Sequence, residues 1–172
     1  MASIERTAYP RLNQRLSDEE LRTHYELTDG EQRFVSANAH GDRQRLTLAV
    51  MLKIRQRLGY FPSLRAVPHQ IVEDLARQLG FPDRIRLLDT PHLRTTWHRY
   101  RRAIQDFLGS QPYGPEHRPR VEQAILKAAE TMSDPADLIN VAVEELTKAG
   151  IELPAFSTLA RLASNLRQQV HE

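Results

Sequence analysis

The run from Gly41 to Pro62, GDRQRLTLAVMLKIRQRLGYFP, constrains the fold more than any other stretch. Leu46, Leu48, Ala49, Val50, Met51, Leu52 and Ile54 put apolar side chains on nearly every side of a helical wheel. A helix that is apolar all round has to be buried all round, so this one needs other helices packed about it. Gly59 suits the left-handed residue that closes a helix, and Pro62 forbids any continuation. Tyr60 and Phe61 add two aromatics between them. Arg43, Arg45, Arg55 and Arg57 flank the apolar run, with Lys53 the one charge inside it. Two readings follow: a core helix with solvated ends, or one whose basic ends reach an anionic partner.

A chain of 172 residues makes one ordinary domain or two small ones. The absence of cysteine excludes a disulfide framework and a thiolate zinc site, and fits a reducing cytoplasm. No long uncharged apolar run spans a membrane, and the opening MASIERTAYPRL lacks the apolar core of a signal peptide. The formal charge of +2 is unevenly placed. Residues 61–120 hold ten Arg against six acids, and residues 121–172 hold four Lys or Arg against eight acids. Arg dominates the cations, and its planar fork suits phosphate; a codon bias would give the same excess.

Along the chain the pattern predicts about eight helices and no strands, an all-α fold. Residues 2–16 read as an arm, extended or packed along a surface. Ser17-Asp18-Glu19-Glu20 and Thr28-Asp29-Gly30-Glu31 are capping boxes that open two short helices. The central helix follows. Ser63 to Val67 is long enough for one or two helical turns, and Pro68 fits the first position of a helix with Ile71, Val72, Leu75 and Leu79 as its stripe. This order resembles a helix-turn-helix arrangement. Phe81 to Asp89 reads as a linker, dividing a first subdomain (1–80) from a second (81–172). Thr90-Pro91 opens a helix whose core face is Leu93, Trp97, Tyr100, Ile104, Phe107 and Leu108. Ser110 to Arg118 is a loop. Pro119 to Met132 follows, with Val121, Ile125, Ala128 and Met132 inward. Asp134-Pro135 caps the next helix, which ends at Gly150, and the last begins at Ser157 or Thr158 with Leu159, Leu162, Ala163 and Leu166 inward. The breaks Gly59-Tyr60-Phe61-Pro62 and Gly150-Ile151-Glu152-Leu153-Pro154 share a spacing, which raises an internal repeat of two helical modules.

Catalytic chemistry finds no footing in these residues. There is no phosphate-binding glycine loop and no metal motif, and the seven histidines are scattered. His98-Arg99-Tyr100-Arg101-Arg102 superficially evokes a tyrosine recombinase, but Tyr100 falls on the apolar face. The chain reads as non-catalytic, without a cofactor. Basic helix faces carry the signal instead. Arg94, Thr95, His98, Arg99, Arg101 and Arg102 supply donors suited to a DNA backbone. Ser157, Thr158, Arg161 and Asn165 on the last helix have polar types that read base edges. His69 and Gln70 would do so on the third helix of the first half, where Glu73 and Asp74 oppose phosphate. Arg43 and Arg45 complete the candidate set.

A family likeness rests on three stretches: Ala2-Ser3-Ile4-Glu5-Arg6-Thr7-Ala8-Tyr9-Pro10; Gly41-Asp42-Arg43 to Gly59-Tyr60-Phe61-Pro62; and Asp134-Pro135-Ala136-Asp137-Leu138-Ile139-Asn140 with Glu144-Glu145-Leu146 and Glu152-Leu153-Pro154-Ala155-Phe156-Ser157-Thr158-Leu159. In this order, over nearly the whole chain, they resemble the N-terminal region of Tn-three-type replicative transposases. The resemblance implies an all-helical region of two tandem helix-turn-helix-like modules, similar to the centromere-protein-B type, that recognises terminal inverted repeats. It implies double-stranded DNA as partner, self-association through the full-length protein, and a bacterial cytoplasm close to the nucleoid. The family's divalent metal belongs to an RNase-H-like catalytic domain that this sequence lacks. A helical protein-interaction or dimerisation module of a DNA-associated regulator is the competing expectation, favoured by the acidic stretch 121–152.

Overall fold

The computed structural model describes residues 2–82 and 84–171, with side chains for all of these except residues 90–93. Its described residues form eight α-helices, joined by turns, short 3-10 helices and longer irregular segments, and no sheet. The chain divides into two compact units, one of Arg11–Leu108 and one of Met1–Pro10 together with Gly109–Glu172.

The first unit holds α1 (Asp18–Tyr25), α2 (Asp29–Asn38), α3 (Asp42–Leu58), α4 (His69–Gln78) and α5 (Thr90–Leu108). Helix α3 is its axis. All residues from Leu46 to Arg55 are buried, and α1, α2, α4 and α5 each pack on it. The all-round apolar surface is therefore satisfied by neighbours on every side. Gly59 closes α3 with φ +83°, the left-handed conformation that any Cβ would strain. Thr28 caps α2 through a full capping box. At α1 the box is half built: the Ser17 hydroxyl takes the Glu20 N–H, while the Glu20 carboxylate turns to Asn13. Pro68 stands one position earlier than expected, as the cap of α4.

Two polar groups in the middle of α3 depart from the expected pattern. Lys53 is buried and donates to Glu31 Oε1 at 2.8 Å. Arg55 is no basic end: it is buried, 3.4 Å from Gln105 and with its guanidinium 6.0 Å from the centre of the Phe61 ring.

Residues 81–89 are not where the chain divides; they belong to the first unit. Phe81, Ile85, Leu87 and Leu88 pack on its core. Arg43 donates to the carbonyls of Arg86 and Leu87, and Leu88 N–H donates to the Thr47 hydroxyl at 2.9 Å. The apolar residues of this segment outweigh its proline and charges, and the division falls after Leu108.

The second unit is a three-helix arrangement of α6 (Arg118–Ala129), α7 (Pro135–Lys148) and α8 (Phe156–His171). Val121, Ile125, Leu138, Ile139, Ala142, Leu146, Leu159, Ala163 and Leu166 form its core. Asp134 caps α7 through the Ala136 N–H. Helix α6 stops at Ala129, which is buried in place of Ala128, and Met132 lies beyond the helix end at 40% exposure. The N-terminal arm packs on this unit. Ala8 N–H donates to Asn140, the Tyr9 hydroxyl donates to the Pro154 carbonyl at 2.8 Å, and the Tyr9 ring meets Phe156 edge-on at 5.6 Å. Tyr9→Phe removes one such bond while keeping the ring. It is expected to destabilise this unit by about 1 kcal/mol, read as a shifted urea midpoint; an unchanged midpoint would show that the hydroxyl contributes nothing.

Candidate nucleic-acid interface

Charge divides with the fold. Arg11–Leu108 carries seventeen Lys or Arg against twelve acids, whereas the other unit carries seven against ten. The attraction for an anionic polymer is thus concentrated on the first unit.

Within it, α5 is two-faced because its apolar residues recur at helical spacing. Tyr100 and Ile104 are buried, and Trp97 and Leu108 pack against the core. Phe107 is 43% exposed, yet its ring lies 4.4 Å from that of Phe34. Leu93 falls among the side chains outside the description. The opposite face is exposed and carries Arg94, Thr95, His98, Arg99 and Arg102. Arg94, His98 and Arg102 succeed one another every fourth residue, so they form a row rising about 6 Å per step. Among the described residues, none of Arg94, Arg99 and Arg102 makes an ion pair with an acid. Burial pushes the Tyr100 hydroxyl above its ordinary range, and the Arg99 guanidinium, 5.5 Å from the ring centre, offsets part of that rise.

Arg101 departs from this face. It is half-buried, with its guanidinium 5.3 Å from the Phe61 ring centre. Phe61 therefore lies within reach of two guanidinium groups, Arg101 and Arg55, and meets Trp97 edge-on at 6.0 Å. This cluster locks α5 to the end of α3. The aromatic pair after Gly59 was visible in the sequence, but of its two cationic partners only Arg55 is a near neighbour, and Arg101 lies far along the chain.

Other candidates serve the fold as well. The Gln70 amide accepts from Leu16 N–H at 2.9 Å and donates to Leu16 O at 3.1 Å. That two-point pairing is the geometry by which a glutamine reads adenine, here engaged by the protein's own backbone. His69 is the exposed first residue of α4. Arg45 donates to the Ala39 carbonyl, and Arg43 to the 81–89 segment as described.

In the second unit Ser157, Thr158, Arg161 and Asn165 are all exposed on α8. Thr158, Arg161 and Asn165 line a cavity of about 370 Å³ with Tyr113, Gly114, Pro115, Arg118 and Leu162. The Tyr113–Arg118 side of this cavity comes from a segment that reads only as a loop. A tyrosine and an arginine bracketing a Gly-Pro turn were the signal available for it. Burial raises the Tyr113 hydroxyl above its usual range; Arg118 works against that rise and Glu122 adds to it.

Among the described residues, no group of three His, Cys, Asp or Glu is placed to hold a metal ion. No described helix is long and apolar enough to cross a membrane. No curated protein matches the chain. A family model does match, over residues 1–166, and the chain therefore belongs to the family described as a domain of unknown function, DUF4158.

Proposed function

We propose that this chain is a non-catalytic, sequence-specific DNA-binding module. In this reading it recognises transposon terminal inverted repeats as the N-terminal part of a Tn-three-type transposase, in the bacterial cytoplasm and close to the nucleoid. The observation that carries the reading is the outer face of α5. Arg94, Arg99 and Arg102 stand exposed and free of acid partners among the described residues, on a helix whose other face is fixed in the core. Phosphate recognition needs such donors held in a fixed row, and α5 supplies about 12 Å of it between Arg94 and Arg102. His69, at the start of α4, and Ser157, Thr158, Arg161 and Asn165, on the first turns of α8, supply the polar types for base edges. The module needs no cofactor of its own; divalent metal belongs to the catalytic domain of the parent family. The two units act as the two DNA-binding subdomains.

Footprinting of the chain on transposon ends, beside a shuffled duplex of equal length, tests the proposal. Protection confined to the ends is expected. Equal protection of both duplexes would remove sequence specificity, and protection of neither would remove DNA binding.

The acid excess of the unit built from Met1–Pro10 and Gly109–Glu172 favours a second reading for that part, contact with protein, including a further copy of this chain. Sedimentation velocity without DNA separates the two: a stable dimer lacking DNA affinity favours protein contact.

A further inference from the structure

The cavity between the Tyr113–Arg118 turn and α8 has a composition that the α5 face lacks. It offers one phenol ring, one threonine hydroxyl and one amide close together, beside cations of unequal availability. Arg118 is engaged by Glu122 at 2.6 Å. Arg161 is exposed, and among the described residues it has no acid partner. Glu116 lies next to Gly114 at the same turn and 3.4 Å from His117, so the surroundings disfavour a multiply charged anion. The site thus has one uncompensated positive charge, matching one phosphodiester rather than a free phosphate or a nucleoside polyphosphate. Its volume, about 370 Å³, falls at the small end of ligand pockets, with room for a single nucleotide. Leu162 provides an apolar floor. Bases without a pairing partner are held in this way, by stacking on an aromatic ring and by hydrogen bonds to the exposed edge.

We infer that this cavity takes one unpaired nucleotide of a bound DNA strand, its base against Tyr113, its edge toward Thr158 and Asn165, and its phosphate toward Arg161. The inference rests on the DNA-binding reading and deepens it: α5 grips paired duplex through its backbone, and the α8 cavity selects a nucleotide that has left the stack. Unpaired positions enter more readily because the unstacking cost is already met.

The test uses the whole chain and two 20-base-pair duplexes of the same sequence, one fully paired and one carrying a single unpaired 2-aminopurine. The bulged duplex is expected to bind about tenfold tighter, the worth of one stacked base, with 2-aminopurine fluorescence quenched on binding. Tyr113→Leu should abolish the preference and leave affinity for paired duplex unchanged; Arg161→Ala should abolish the preference and weaken paired duplex as well, while Tyr113→Phe should keep it. Arg161 is exposed, so its replacement leaves the fold intact. Equal affinity for the two duplexes, or a preference that survives both variants, overturns the cavity assignment and leaves the DNA-binding reading standing. Binding to neither duplex overturns that reading, and the cavity assignment with it.

Discussion

Glu31→Ala is expected to lower the stability of the Arg11–Leu108 unit by about 3–5 kcal/mol, the cost of leaving a buried charge without its partner. Glu31 is 5% exposed and Lys53 6%. One carboxylate oxygen accepts from Lys53 Nζ and from Thr28 N–H, each at 2.8 Å, and the other accepts from Gln56 at 2.6 Å. The substitution strips the buried ammonium of its partner, removes the carboxylate half of the α2 capping box and takes one acceptor from the Gln56 amide. Burial by itself would push the Glu31 carboxyl up; the bonds from Lys53, Thr28 and Gln56 outweigh it and hold the group below its usual value. A depressed carboxyl contributes stability above its unfolded pKa, near ~4.3, and that contribution is lost as pH falls through the folded value. Urea unfolding at pH 7 should therefore separate Glu31→Ala from the parent widely, and the gap should narrow in acid. Lys53→Met added to Glu31→Ala should recover part of the loss, because no ammonium is then stranded. A loss below about 1 kcal/mol at pH 7 would mean that water reaches Lys53 and the pair is not truly buried.

The triple replacement Arg94→Ala, Arg99→Ala, Arg102→Ala is expected to have the largest effect on DNA. Each arginine withdrawn from a phosphate takes about 0.9 off the slope of log affinity against log salt, so the slope should become shallower by about 2.7. Affinity near ~50 mM salt should fall on the order of a hundredfold or more, equally for specific and shuffled sequences, since the DNA backbone carries no sequence information. All three side chains are exposed, so thermal stability should stay within about 0.5 kcal/mol of the parent. Arg22→Ala, an exposed charge on α1, serves as the control and should leave the slope unchanged. A triple variant with an unaltered slope would remove α5 from any nucleic-acid interface.

What the sequence made legible is what local chemistry decides. The caps at Ser17, Thr28 and Asp134, the closure at Gly59 and the stripes of α5 and α7 follow from neighbours within a few residues, and each helix formed where such signals predicted. The burial of α3 was legible because no exposed solution exists for a helix without a polar face. What stayed hidden depends on distant partners. Glu31 reads as a cap, and only the packing of α2 on α3 makes it the counter-ion of Lys53 as well. Gln70 reads as a free amide until Leu16 occupies it. The segment 81–89 reads as a linker because proline and alternating charge are local, while the α3 surface it covers is some forty residues away. The outer face of α5 was legible as a row of residues, but the withdrawal of Arg101 toward Phe61 was not.

The arm that docks through Tyr9 carries a consequence for biosynthesis. Its acceptor at Pro154 lies 145 residues downstream, and translation adds about 5–20 residues per second. The opening ten residues therefore leave the ribosome roughly 7–30 s before their binding groove exists, while everything needed for Arg11–Leu108 has already emerged. Residues 2–10 therefore wait for a partner made much later than they are. A bulky fusion ahead of residue 2 would consequently be felt at α7 and α8, more than a hundred residues later in the chain.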